Sequence, residues 1–545
     1  MKVLHALLIA HCLLPLTLFA QPKHTKQDTL FGSNTPQRSW WDVTRYDIAV
    51  TPDYGTKTIR GKNTITYTVL ADSHDDYLQL DLQKPLEIDS IYYNGKTYIN
   101  YPARPYYNEG NHYFIPLPRA EKGSIQSLTI VYHGKPKEAT NAPWDGGWVW
   151  TKDKQGRPWM SVACEGDGAS LWYPCKDIWS DEPDGGASLT VTVPATMTVV
   201  GNGRLKNRST DKEMTTFRWE VESPINAYNI IPYIGSYTSW SDTLAGEKGT
   251  LDLNYWVLDY EVDKAKKQFE QVKPTMRAFE HWFGPYPFYN DGYQLVQAPY
   301  LGMEHQSAVA YGNEFKNGYL GSDLSQTGWG LKWDYIIVHE TGHEWFGNNI
   351  TAKDMADMWI HEAFTNYAET LFVDFYYGRQ AGNEYTQGLR TNILNDRPII
   401  GPYNVHKEGS GDMYFKGANL LHTIRQIIND DEKFRQILRG LNKDFFHQMV
   451  NTKQVEEYIS KQSGKNFSKV YDQYLRTATI PILELKKTGM NYQYRWSSAV
   501  NGFSMPLKLI TGEWLTPTSQ WQVIKLGTGK NFVVDKNFYI NFKKV

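Results

Sequence analysis

His339-Glu340-Thr341-Gly342-His343, with 18 residues between His343 and Glu362, is the stretch on which the reading of this chain turns. Residues at i and i+4 lie one turn apart on the same helix face. Two imidazoles so placed reach one metal ion, and the carboxylate directly after the first histidine can face that ion without binding it. A catalytic zinc takes three protein ligands and keeps one position open. Glu362 is a ready third ligand beside His339 and His343. The pattern predicts one zinc per chain in a His-His-Glu site, with Glu340 as the general base of a hydrolytic reaction.

Both motif segments sit in apolar sequence. Trp333 to Val338 reads Trp-Asp-Tyr-Ile-Ile-Val, and Trp345-Phe346-Gly347 follows the second histidine. Glu362 lies in Trp359-Ile360-His361-Glu362-Ala363-Phe364. Such flanks suit buried helices that carry a functional polar stripe. Two ordinary polar helix faces are the alternative. They would need separate explanations, because ionisable groups on apolar helices are costly to bury without partners.

Outward from the motif, the periodicity changes twice. Before about residue 260 it is that of strands. Leu78, Leu80 and Leu82 alternate with polar residues, as do Leu189, Val191 and Val193. Turn signals recur at Tyr93-Asn94-Gly95, Asp145-Gly146-Gly147 and Gly201-Asn202-Gly203. Then Ala265, Phe269, Val272, Met276 and Phe279 mark a helical stripe that Pro274 should kink. Leu420, Leu421, Ile424, Ile427 and Ile428 mark another, and Thr452 reads as the N-cap of a further helix. After Pro481 short strand-like runs return, in a tail too small for an independent core and expected to pack on the helices.

With 545 residues the chain has room for two to four domains. Its aromatic share of 14%, with 37 tyrosines and 19 tryptophans, favours extensive β-structure and an aromatic-lined cleft. A formal charge of -2 implies neither nucleic acid nor an anionic membrane surface as partner. Lys2 and the apolar stretch from Ala6 to Ala20 read as an export signal cleaved after Ala20, too short for a comfortable membrane span. An uncleaved anchor is the alternative. Cys12 directly follows His11, which does not suit lipid attachment. Cys164 and Cys175 remain in the mature chain, as a disulfide or as two buried thiols.

Three more segments extend the pattern: Leu301-Gly302-Met303-Glu304-His305, Cys164-Glu165-Gly166 and Tyr414-Phe415-Lys416-Gly417. Together with the metal motif they resemble the gluzincin zinc aminopeptidases of the aminopeptidase N and leukotriene hydrolase type. The first segment is similar to that family's Gly-x-Met-Glu-Asn exopeptidase motif. The Glu362 segment is similar to its Trp-Leu-Asn-Glu-Gly-Phe, and the Tyr414 segment to its catalytic Tyr-x-Lys-Gly. The resemblance runs from the β-domain to about Leu485. It implies that Tyr414 stabilises the oxyanion and that Glu165 and Glu304, with Gly302 and Met303, bind a peptide by its free N-terminus. Glu369, two turns beyond Glu362, is placed to orient a ligand histidine by hydrogen bonding to it.

Taken with the periodicities, the resemblance gives a multidomain α+β fold: a signal peptide over 1–20, an N-terminal antiparallel β-domain over 21–250, a mainly helical catalytic domain over 251–480 that the resemblance implies is thermolysin-like, and a small C-terminal β-module over 481–545. That is a short form, without the large C-terminal helical domain of many relatives, and predicts a cleft open on that side. Leu301, His305, His361 and Ala363 depart from the family's motifs, and Leu301 is expected to alter the first substrate pocket. The resemblance implies a zinc aminopeptidase, and the export signal a periplasmic or secreted one with no stable membrane insertion. An epoxide hydrolase-like relative and a catalytically silent peptide-binding relative are the alternatives.

Overall fold

Alternating burial along Trp41–Asp53 explains how the chain begins to fold: on either side of a bulge at Thr44 and Arg45, every second side chain enters a core and the others face outward. The computed structural model describes residues 24–72, 77–98, 105–489, 491–527 and 529–545. The expected export signal lies outside the described residues. Trp41–Asp53 sits inside an eight-stranded sheet between Thr58–Val69 and Ala187–Pro194. One pairing departs from the expected antiparallel pattern. Trp41–Asp53 runs parallel to Ala187–Pro194, with Ile48 opposite Leu189. The long chain between them gives the crossover a parallel pair requires. A second sheet contains Gly147–Lys152 and Pro158–Ala163, and Glu165 lies just beyond its end.

Strand Tyr237–Gly246 (β1) lies just before the boundary expected at residue 250, and Gly249–Leu258 (β2) crosses it. They pair with each other and open the sheet that carries the site. β2 pairs in parallel with Tyr293–Gln297 (β3), and β3 with Val309–Tyr311 (β5). Gly302–Met303 (β4) lies antiparallel on β5 at the edge of this sheet, whose order is β1-β2-β3-β5-β4. An alternating strand looks the same whichever sheet it joins, so local pattern could not place this boundary.

The stripe from Ala265 to Phe279 is two helices rather than one kinked helix. Val262–Gln268 ends in a 3-10 turn at Phe269–Gln271, and Val272–Phe283 (α1) begins after it. Pro274 falls in the first turn of α1, where its missing N–H has no helical partner to lose. The site helices follow: Tyr335–Gly342 (α2), Trp359–Tyr377 (α3) and Phe415–Ile428 (α4). A Cβ at Gly417 would fall 2.5 Å from the Cβ of Ala363, so α4 packs on α3 nearly backbone to backbone. The later helix Thr452–Ser463 is capped by Asn451, not Thr452, in a reciprocal pair with Gln454. The Thr452 hydroxyl is taken by Asp357 and the Trp359 indole.

The C-terminal strands form a four-stranded sheet in which Ile482–Thr488 is central, and the module packs on the helices as expected. Arg390 donates to the Lys536 carbonyl at 2.7 Å and lies over the Tyr539 ring. Cys164 and Cys175 are buried free thiols. No helix among the described residues is long and apolar enough to cross a membrane.

Candidate active site

Helix α2 is short and wholly buried, and Asp334 caps it by accepting from the N–H groups of Ile336 and Ile337. The cap fixes where the turn bearing the two histidines begins. His339 Nε2 and His343 Nε2 lie 3.3 Å apart. Glu362 Oε2, from the first turn of α3, is 3.7 Å from the first and 3.6 Å from the second. The other ring nitrogens are committed. His339 Nδ1 lies 2.7 Å from Glu369 Oε1, and His343 Nδ1 lies 3.0 Å from the Phe346 carbonyl oxygen. Both partners can only accept, so both Nδ1 atoms carry the protons and both Nε2 lone pairs face inward.

Those lone pairs and Glu362 Oε2, itself without a hydrogen-bond partner, point at one another. Three electron-rich atoms so arranged repel unless a cation lies among them. Two imidazoles and one carboxylate suit zinc. The donor set therefore fits the expected metal, with Glu369 placed as the partner of His339.

Glu340 is buried on the same turn. Burial first, then the charges of Glu304 and Glu362, pushes its carboxyl up to about 8, against the opposing pull of His339. A metal cation would bring it down. Edge strand β4 passes directly beside it: a Cβ at Gly302 would fall 2.7 Å from Glu340 Oε1. Met303 is buried next along that strand, and Glu304 follows. The Glu304 carboxylate accepts from the Tyr228 hydroxyl at 3.0 Å, and its carbonyl oxygen accepts from Asn348 Nδ2 at 2.7 Å.

Glu165 arrives from the β-domain. Burial, then the charges of Glu304 and Glu362, pushes its carboxyl well above the usual carboxylate range. Tyr414 stands at the head of α4, its ring 6.1 Å from that of His339. Burial and the Glu362 charge hold its phenol protonated. All ten residues singled out by the sequence thus reach this one neighbourhood. His305 and Leu301 have surroundings of their own. His305 is buried, with Nδ1 2.7 Å from the Tyr233 hydroxyl, and burial pushes it down to about 3. Leu301 lines a cavity of about 650 Å³ whose lining includes none of the ligating residues.

Comparison with known families gives a consistent result. The peptidase family M1 domain matches residues 267–474, and the peptidase M1 N-terminal domain matches residues 43–228. The chain belongs to peptidase family M1. Its similarity to individual members is low. Probable aminopeptidase 2 of Sulfurisphaera tokodaii is 22% identical over 387 residues, covering 66% of this chain and 46% of that protein. Leukotriene A-4 hydrolase of Xenopus laevis is 22% identical over 434 residues, covering 75% of this chain and 66% of that protein. The chain spans about half the length of several of the curated relatives it matches. Among solved structures, a variant of the M1 zinc metallopeptidase of Deinococcus radiodurans bound to a Tyr-Ser-Ala substrate superposes with a TM-score of 0.66 at 22% identity. The match covers 82% of this chain and 96% of that one.

The M1 motifs leave several side chains packed around the site unannounced. Tyr335 lies one turn before His339, with its hydroxyl 3.3 Å from His339 Nδ1, and the i, i+4 spacing could have flagged it. Tyr385 and Asn366 donate to Glu369 at 2.6 and 2.9 Å. Asn366 shares helix α3 with Glu369, but Tyr385 comes from the next helix and carries no local signal. His361, which departs from the M1 motif, is fully buried beside Glu165, and burial pushes it down to about 3.

Proposed function

We propose that this M1 member is a zinc aminopeptidase that removes N-terminal residues from peptides. The observation that carries the reading is the meeting of Glu165, from the β-domain, with Glu304 beside the His339, His343 and Glu362 donor set. A desolvated ammonium needs carboxylate partners, and two of them close to the metal place the scissile bond one residue from the N-terminus. The outer edge of β4 pairs with no strand among the described residues, and a peptide lying along it would run past Glu340.

His339, His343 and Glu362 would hold zinc, and Glu369 keeps His339 in the ligating tautomer. When bound, zinc supplies Lewis-acid polarisation of the scissile carbonyl and of the attacking water. Glu340 takes the proton of that water and delivers it to the leaving amine. The Tyr414 hydroxyl donates to the oxygen that becomes negative as the carbonyl is attacked. Glu165 and Glu304 hold the α-ammonium group.

A panel of fluorogenic aminoacyl substrates, free and N-acetylated, with and without a chelator, tests this. The expected result is chelator-sensitive cleavage of free-amine substrates alone. Efficient cleavage of blocked peptides at internal bonds would sink the exopeptidase reading. We also propose export, with cleavage after Ala20, on the strength of the basic start and apolar stretch of residues 1–20. N-terminal sequencing of the protein recovered outside the cytoplasm should begin at Gln21.

A further inference from the structure

The two amino-end carboxylates belong to one connected set of side chains. The backbone N–H of Ala352 donates to His361 Nε2 at 2.8 Å. A peptide N–H can only donate, so Nε2 accepts and the ring proton sits on Nδ1. That Nδ1–H is buried and has no acceptor within hydrogen-bond distance. Glu165 Oε1 lies 4.0 Å from it and is likewise buried without a donor. The pair is complementary, an unused donor facing an unused acceptor.

The His361 ring lies flat against Trp179, with centroids 5.1 Å and planes 5° apart. Trp179 also packs against Tyr228, at 5.7 Å, and Tyr228 is the residue whose hydroxyl holds Glu304. Trp179 is itself buried, so the three rings have little freedom to slide. The Cys164 thiol donates to the Tyr228 carbonyl at 3.3 Å, tying the loop that bears Glu165 to the segment that bears Tyr228.

We propose that His361, Trp179 and Tyr228 form an aromatic clamp that fixes the spacing and orientation of Glu165 and Glu304, with His361 and Trp179 as positioning residues for the substrate's α-ammonium group. The inference rests on the aminopeptidase reading. A shift of the Glu165 carboxylate by about 1 Å brings Oε1 within hydrogen-bond distance of His361 Nδ1. His361 then holds one oxygen and leaves the other for the ammonium. Tyr228 divides the Glu304 carboxylate in the same way, and Trp179 sets the distance between the two holders.

The test compares two inhibitors on the zinc-loaded full chain: leucine hydroxamate and its des-amino analogue, 4-methylpentanohydroxamate. His361→Phe keeps a ring on Trp179 and removes the donor. Trp179→Leu removes the stack, and it decides the matter if His361→Phe does not fold. Each is expected to weaken leucine hydroxamate about tenfold, the worth of roughly one hydrogen bond to a charged group, and the des-amino analogue less than about twofold. For a leucyl fluorogenic substrate KM should rise by a similar factor while kcat stays within about threefold. His361→Gln, which can still accept from Ala352 and donate to Glu165, should recover most of the binding; without that recovery the hydrogen-bonding role of His361 is refuted. Equal weakening of both hydroxamates, or no weakening of either, overturns the clamp. If the wild-type chain itself does not prefer leucine hydroxamate to the analogue, the aminopeptidase reading fails first and the clamp falls with it.

Discussion

Gly302→Ala places one methyl group beside the proposed base, and the structure says where the strain goes. On this backbone the new Cβ falls 2.7 Å from Glu340 Oε1 and 2.8 Å from Ile336 Cγ2, whereas ordinary contact begins at 3.4 Å. Both neighbours must give, Glu340 Oε1 by about 0.7 Å and Ile336 Cγ2 by about 0.6 Å. Ile336 is β-branched and fully packed, with few rotamers to choose from. Ile336 therefore yields at a cost in packing, and the Glu340 carboxyl, the free end of a flexible side chain, is displaced most readily. Misplacement of a reacting group by about 1 Å can cost roughly 100-fold in rate. We therefore expect kcat to fall by about 30- to 100-fold, equivalent to ~2–2.7 kcal/mol in the barrier. Zinc is held by other side chains and should stay. Stability should fall by about 1–3 kcal/mol, the range for an added methylene in a packed site. The assay is kcat and KM on a leucyl fluorogenic substrate at saturating zinc, with metal content and the thermal midpoint measured on the same sample. A kcat within threefold of wild type would refute the argument that β4 holds the Glu340 carboxyl in place. Zinc loss, or a stability loss beyond ~3 kcal/mol, would show that the backbone had moved instead.

Glu340→Gln should retain zinc and lose about two to four orders of magnitude in turnover; a variant keeping more than about a tenth of wild-type rate would rule out Glu340 as the base. Glu369→Ala removes the partner of His339 Nδ1 and should weaken zinc about 10- to 100-fold in a chelator competition, with kcat nearly restored at saturating metal. An unchanged zinc affinity would mean that Tyr335 alone holds the ring. Tyr414→Phe should lower kcat with little change in the affinity of leucine hydroxamate, since the lost bond forms mainly in the transition state. Parallel losses in both would make Tyr414 a ground-state contact.

The metal site was legible because its geometry is local. An i, i+4 pair on a helix fixes two imidazoles through backbone sterics alone, and Glu362 to Glu369 is again two turns of one helix. The strand and helix periods were legible for the same reason, and so was the packing of a tail too short for its own core. Pro274 and Thr452 show where local reading slips. Each occurs in the expected region, but the helix start is decided by a 3-10 turn in one case and by the demand of Asp357 for the Thr452 hydroxyl in the other.

What the sequence by itself determined is the donor set, the residue proposed as base, the alternation of strand and helix and, through its motifs, the family. What only the tertiary structure decided is which distant segments meet. The parallel pairing of Trp41–Asp53 with Ala187–Pro194, the joining of β1 and β2 to the site-bearing sheet, and the packing of His361 and Tyr228 against Trp179 have no local signature. An alternating strand carries its inward face wherever it goes but does not name its partner, and a tyrosine or tryptophan is first of all core material. The partner is chosen by burial summed over the whole molecule, and that sum exists only once the chain has folded.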